Sequence, residues 1–142
     1  MIFLVALWLI RIAGVNVQAP ALASPLLDPL GVMLCWGGLG FAIWARIHLG
    51  KNWGMPMSVK ENPELITSGP YAYVRHPIYT GVLAAAIGSA LVVGTGWLVL
   101  MVLLAIYFIY SAKKEEALLR RTFGQHYDMY AQRTKMLIPW IF

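Results

Sequence analysis

Long apolar runs alternate with short polar clusters along this chain, and the runs are of membrane length. Residues 30–49 are apolar until Arg46, with Pro29 before them as a helix starter. A helix of about 20 residues rises about 30 Å, the thickness of a bilayer's hydrocarbon core. An uncharged stretch over 77–111 is too long for one crossing and is interrupted by Gly94-Thr95-Gly96. It predicts a hairpin, with helices over 77–93 and 97–112, each slightly short for a full span. The outer ends of such a hairpin meet on one face. The run at 2–17 is shorter still. Its Arg11 follows the apolar residues, whereas a secretory signal carries its positive charge first. It predicts a first membrane helix, with Arg11 facing protein or snorkelling to a headgroup.

The polar clusters complete the plan. Residues 50–76 hold Asn52, Pro56, Asn62, Pro63, Gly69 and Pro70, which break helices and make turns. A loop this long is more than a connector and is predicted to line a pocket. Beyond 112, Leu119, Phe123, Tyr127 and Tyr130 recur at helical spacing and predict an amphipathic helix over about 113–130, weakened or ended early by Gly124. Residues 136–142 are apolar again and are predicted to return to the membrane surface. Gly37, Gly38, Gly40 and Ala42 give the helix over 30–49 the small residues that close helix packing uses. The expected fold is an all-α integral membrane protein of about four transmembrane helices. It forms one domain over 1–142, with a cytosolic pocket built from 50–76 and 113–142.

Composition agrees. The chain is 60% hydrophobic and 12% charged, while soluble domains run nearer a quarter charged. A water-soluble protein of 142 residues could not hide so much apolar surface. The net charge of +5 could suggest a nucleic-acid ligand, but placement favours topology. All basic residues except Arg11 fall in two blocks, Arg46 to Arg75 and Lys113 to Lys135, and residues 15–30 have none. Basic segments collect on the cytoplasmic side, so both termini and the site are predicted there. Cys35 is the single cysteine, which excludes an intrachain disulfide and a cysteine-cluster metal site; no metal is expected.

The chemistry concentrates in two places. His76 precedes Pro77, so its backbone is extended and it sits where a helix begins. Backbone donors and the dipole favour an anion there, and Arg75 adds a cation. Two readings stand: Arg75 and His76 hold a ligand carboxylate or phosphate, or they are a topological charge and a helix cap. Tyr71, Tyr73 and Tyr79 either face a ligand cation or adenine ring, or form an interfacial belt. Gly81, one turn above His76, leaves room for a ligand or a neighbouring helix. Glu115 and Glu116 either balance nearby lysines and arginines, with Glu116–Arg120 an ordinary helix pair, or place one carboxylate in the pocket.

These residues carry a resemblance. Gly69-Pro-Tyr-Ala-Tyr-Val-Arg-His-Pro-Ile-Tyr-Thr-Gly81 resembles the signature of the isoprenylcysteine carboxyl methyltransferase family and its phospholipid methyltransferase relatives. Glu115-Glu116-Ala-Leu-Leu and Phe123-Gly-Gln-His-Tyr127 with Tyr130 resemble the family's late block. Leu49-Gly-Lys-Asn-Trp53 and Leu65-Ile-Thr-Ser-Gly69 resemble the elements upstream. The resemblance covers about 49–139. It implies an integral membrane methyltransferase that uses S-adenosylmethionine without a Rossmann domain. The implied cofactor contacts are Glu64, Leu65, Ile66, Tyr71, His76, Pro77, Ile78, Tyr79 and Glu115, and the implied catalytic set is Arg75, His76 and Glu115. Prenylcysteine enzymes of the family place a substrate-contacting Arg four residues before that Glu; this chain has Ser111 there. The expected acceptor is lipophilic or small. Phospholipid amine or thiol methylation, an NADPH-dependent sterol-reductase-like activity and a non-catalytic membrane module are the alternatives. The bilayer and the acceptor are the expected partners, no nucleic acid is expected, and the small-residue face would permit a homodimer.

Overall fold

The computed structural model describes residues 25–52, 64–94 and 97–142. The helix expected over 2–17 and part of the loop expected over 50–76 lie outside them. Among the described residues the fold is all-helical. Four helices occur in the order α1 (Leu27–Leu49), α2 (Pro77–Val93), α3 (Trp97–Phe123) and α4 (Gln125–Arg133). Short 3-10 turns at Gly50–Asn52 and Gly69–Ala72 flank the intervening loop.

Each boundary has a local cause. α1 starts at Leu27, three residues earlier than the sequence suggests, with Asp28 in its first turn, where a negative charge suits the helix dipole. It stops at Gly50, whose φ of 51° turns its N–H back onto the carbonyls of Arg46 and Ile47. α2 begins on Pro77 and ends at Gly94, as the sequence pattern predicts. α3 corrects the expected boundary at 112. Nothing in Lys113-Lys-Glu-Glu-Ala-Leu-Leu-Arg-Arg121 breaks a helix, so α3 continues to Phe123, and the amphipathic helix expected over about 113–130 is shared between its final turns and α4. Gly124, at φ 53°, divides it from α4.

The main packing is α1 against α2, and it is a contact of backbones. A methyl group placed on Gly38 would lie 2.5 Å from the carbonyl oxygen of Gly81, and one on Gly81 would lie 2.5 Å from that of Gly38. Gly88 lies equally close to Gly31 and to Cys35. The space beside Gly81 is therefore filled by a helix, not by a ligand. Without a hydrophobic drive between helices in lipid, such close approach is how apolar helices associate. Cys35 Sγ adds a contact at 3.6 Å with Ser89 Oγ.

α2 and α3 form the expected antiparallel hairpin, bringing the start of α2 beside residues 111–116 of α3. The strand-like stretch 134–137 closes this end. Val74 and Lys135 form an isolated parallel bridge. The N–H groups of Arg75 and His76 donate to the carbonyls of Lys135 (2.8 Å) and Met136 (3.1 Å). Met136 and Leu137 are buried with Ala112, against Tyr79, Leu83 and Ile109.

Two elements, Leu27–Asn52 and Trp97–Phe123, are long and apolar enough to cross a membrane, while Pro77–Val93 is a shorter apolar helix. Only 17% of each long apolar window is buried within the chain. Met33, Trp36, Ile43 and Ile47 on α1, and Val102, Leu103 and Ile106 on α3, face outward. Apolar faces this extensive are lipid-facing faces. The two helices point to a membrane protein.

Candidate functional site

The site grows from the junction His76-Pro77. Pro77 occupies the first position of α2, which fixes His76 at its N-cap with φ −124° and ψ 62°. The imidazole is 7% exposed. Glu115 and Glu116 reach it from α3. His76 Nδ1 lies 3.5 Å from Glu115 Oε2, and His76 Nε2 lies 3.5 Å from Glu116 Oε1. These are ion-pair separations too long for good hydrogen bonds, and Nε2 has no hydrogen-bond partner.

The two carboxylates are held differently. Glu115 Oε1 accepts the Tyr79 hydroxyl at 2.5 Å and the Ser111 hydroxyl at 3.1 Å. Tyr79 and Ser111 also touch, at 3.2 Å. Glu116 Oε1 accepts Arg75 Nε at 2.7 Å, and its Oε2 lies 3.7 Å from Arg120. Arg75 donates further to the carbonyls of Ala131, at 3.0 Å, and Thr134. Arg120 reaches on to Asp128. The rings of His76, Tyr79 and Phe108 form a column, with centroid spacings of 5.6 and 4.3 Å and nearly parallel planes. Tyr130 donates to the Tyr71 carbonyl at 2.7 Å, tying α4 to the turn before His76.

Electrostatics follow from this packing. Burial alone lowers the pKa of His76, but Glu115 and Glu116, one at each ring nitrogen, outweigh it and hold the pKa above 6.5. The two carboxylates thus favour its protonated form against the effect of burial. Burial, with Tyr130 and Glu115 adding to it, pushes the Tyr71 phenol well above its usual range. Burial also pushes Tyr130 up to about 12.

A pH dependence follows. A folded-state pKa raised above the unfolded value contributes stability that is complete below the unfolded pKa and is lost as pH rises through the folded one. The part of stability owed to His76 should therefore fall as pH rises above about 6.5. Thermal unfolding in detergent, followed across that window, should show the decline in the wild type and a flatter profile in His76→Asn.

The structure gathers some of the residues singled out from sequence and separates others. His76, Tyr79 and Glu115 are in mutual contact. Pro77 is buried beneath them and Ile78 is half-buried beside them. Tyr71 is buried within electrostatic reach of Glu115. Glu64, Leu65 and Ile66 lie on the non-helical stretch leading to the Gly69–Ala72 turn. Glu64 is exposed, its N–H taken by Asn52, and it makes no bond to His76 or Glu115 among the described residues. Two expectations change. Arg75 is not an available anion-binding cation: Glu116 and two carbonyls occupy it. Ser111 is fully buried and bound to Glu115 and Tyr79, which makes it a support for the carboxylate. Sequence reasoning left Glu116 as a helix-surface partner of Arg120. It is 4% exposed and anchors Arg75 as well. The signal available was its adjacency to Glu115 on a helix with no breaker.

The sequence profile described as phospholipid methyltransferase matches residues 28–126, which include nearly all of α1, the whole of α2 and α3, and Arg75, His76, Glu115, Glu116 and Arg120. The chain is 33% identical over 101 residues to a protein-S-isoprenylcysteine O-methyltransferase of Schizosaccharomyces pombe, covering 68% of this chain and 43% of that protein. It is 40% identical over 78 residues to methanethiol S-methyltransferase 1 of Bradyrhizobium diazoefficiens, covering 55% and 27%. It is 32% identical over 94 residues to the nickel-cobalt-cadmium resistance protein NccN of Alcaligenes xylosoxydans xylosoxydans, covering 64% and 44%. The match thus spans less than half the length of each of these relatives. With a matching profile that takes in both membrane-length helices and the His76–Glu115–Glu116 cluster, this chain belongs to the phospholipid methyltransferase family.

Proposed function

We propose that the chain transfers a methyl group from S-adenosylmethionine to a lipophilic or small nucleophile at a membrane face. The observation that carries this reading is the meeting of His76, Tyr79 and Glu115 where α2 begins, within a family of methyltransferases. S-adenosylmethionine, when bound, supplies a methyl group on a positively charged sulfur. The residues present fit such a molecule. His76 faces a carboxylate with each ring nitrogen and so holds Glu115 in place at the start of α2. Glu115 is the carboxylate of the cluster that still reaches the surface, its side chain 23% exposed against 6% for Glu116, and it suits a cation or a ribose hydroxyl.

The chain's own work is positioning and exclusion of water. Tyr79 and Ser111 fix one oxygen of Glu115, so the other is held toward His76 and the bound molecule. His76, whose pKa the two flanking carboxylates raise against the opposing effect of burial, orients Glu115. A nucleophile that must shed a proton would give it to Glu115 or to water.

One observation favours a thiol or other acceptor without a carboxylate over a prenylcysteine carboxylate. The position of the family's substrate arginine holds Ser111, already committed to Glu115, and Arg75 is committed to Glu116. Lys114 lies over the Tyr110 ring instead.

The reading is tested by calorimetric titration of the purified protein with S-adenosylhomocysteine. Glu115→Gln should weaken binding about tenfold or more, the value of a charge-assisted hydrogen bond. His76→Ala should act in the same direction. Unchanged binding in both variants, or a preference of the wild type for NADPH, would overturn it. A labelled-methyl assay across a thiol, an aminophospholipid and a prenylcysteine then ranks the acceptors, with the thiol expected first.

A further inference from the structure

Away from the cluster, the segment after Leu137 has a shape of its own. Met136 and Leu137 are buried, yet Trp140 is 86% exposed and Ile141 is 77% exposed, with Ile138 and Phe142 also standing outward. This is an ordered turn. The N–H groups of Leu137 and Ile138 donate to the Phe142 carbonyl, and those of Ile141 and Phe142 donate to the Ile138 carbonyl. Trp140 sits at φ 63°, a conformation that bulky residues rarely adopt, so the fold spends backbone strain to hold an indole outward.

Beside the indole is a cleft of about 110 Å³ lined by Ala72, Tyr73, Arg133, Lys135, Pro139 and Trp140. Its charge has one sign. No carboxylate lines it, and neither Arg133 nor Lys135 is in an ion pair among the described residues. Its two walls are held in register by the Val74–Lys135 bridge, with the Arg75 N–H on the Lys135 carbonyl at 2.8 Å. The cleft lies just before the start of α2, at the level where the apolar helices end.

Two features converge here, a pair of cations without ion-pair partners among the described residues and two flanking aromatic rings, and the exposed Ile138 and Ile141 lie close by in the same turn as Trp140. Tryptophan and tyrosine concentrate at headgroup depth, and basic side chains near a bilayer attract anionic lipids. Exposed apolar residues beside membrane-length helices do not suit a nucleic acid. We infer that this cleft holds the phosphate of an anionic phospholipid headgroup, with Ile138, Trp140 and Ile141 seated at the acyl border.

The test uses the full chain in a neutral detergent. Short-chain phosphatidylglycerol, short-chain phosphatidylcholine and inorganic phosphate are titrated, with retained adducts counted by native mass spectrometry. The wild type should retain phosphatidylglycerol in preference to phosphatidylcholine. Arg133→Gln with Lys135→Gln should weaken phosphatidylglycerol about tenfold or more while leaving phosphatidylcholine unchanged. Both side chains are exposed, and Lys135 supports the fold through its carbonyl, so this variant should fold. Trp140→Ala, which leaves both cations in place, should weaken both lipids. Equal retention of the two lipids by the wild type, or undiminished phosphatidylglycerol on the double variant, would overturn the inference. So would inorganic phosphate competing as well as the lipid, which would make this a site for soluble anions.

Discussion

Arg75→Met should destabilise the protein by about 3–5 kcal/mol, the cost of leaving a buried charge without its partner. The guanidinium does three things at once. It neutralises Glu116, and it satisfies the carbonyls of Ala131 and Thr134. Its side chain is 12% exposed and that of Glu116 is 6% exposed, so water cannot substitute for the lost bonds. Arg120 is no replacement, being 3.7 Å away and half in solvent. The loss should also loosen the end of α4, where the carbonyls of Ala131 and Thr134 lose their donor, while the main-chain bonds of Arg75 and His76 to Lys135 and Met136 remain. Chemical unfolding in detergent measures the total. The double variant Arg75→Met with Glu116→Gln separates the two components: removing the orphaned charge should recover part of the loss, leaving that of the two carbonyls. If the double variant is no more stable than Arg75→Met alone, the buried charge is not what the arginine answers.

The second large effect belongs to the α1–α2 contact. Gly81→Ala should cost about 3 kcal/mol, at the upper end for overpacking, because the atoms it meets are the Gly38 carbonyl at 2.5 Å and the Ala42 nitrogen at 2.7 Å. Backbone cannot rotate aside, so the helices must part. Gly38→Ala should behave alike, meeting the Gly81 carbonyl and the Ala85 nitrogen. Gly37→Ala and Gly40→Ala are the controls. Nothing lies within 4 Å of either position, so each should be neutral, or stabilising by up to about 1 kcal/mol through helix propensity. Thermal unfolding of the four variants side by side decides the matter: equal effects in the two pairs would mean that this interface is not where the helices hold together.

That contrast shows what could be read from the sequence. Gly37, Gly38 and Gly40 are equally small and equally suggestive in a string of letters. The helical period turns Gly38 toward α2 along with Gly31 and Ala42, and leaves the other two facing out. Which face is used depends on the partner. The start of α2 was legible because His76-Pro77 imposes it locally, and the hairpin because Gly94 can take a φ of 140°. The boundary expected at 112 divides one helix in two, because the change from apolar to charged residues at Lys113 marks where the surroundings change; polarity alters the surroundings of a helix, whereas a residue such as Gly124 stops it. Glu115, Tyr79 and His76 share a site because α2 and α3 are antiparallel, which the sequence permits one to deduce. The Val74–Lys135 bridge and the capture of Arg75 by α4 join residues about sixty positions apart through main-chain atoms. No side-chain pattern encodes such a pairing.

The unbroken run of α3 has a mechanical consequence. At 27 residues it is a rod of about 40 Å, greasy at one end and carrying Glu115 and Glu116 near the other. Its depth in the bilayer is set by how its apolar half matches the thickness of the lipid. A thinner or thicker bilayer tilts or shifts the rod, and with it the height of Glu115 relative to the membrane surface. Acyl-chain length is thus coupled to the reach of the carboxylate by plain leverage, with no hinge between them.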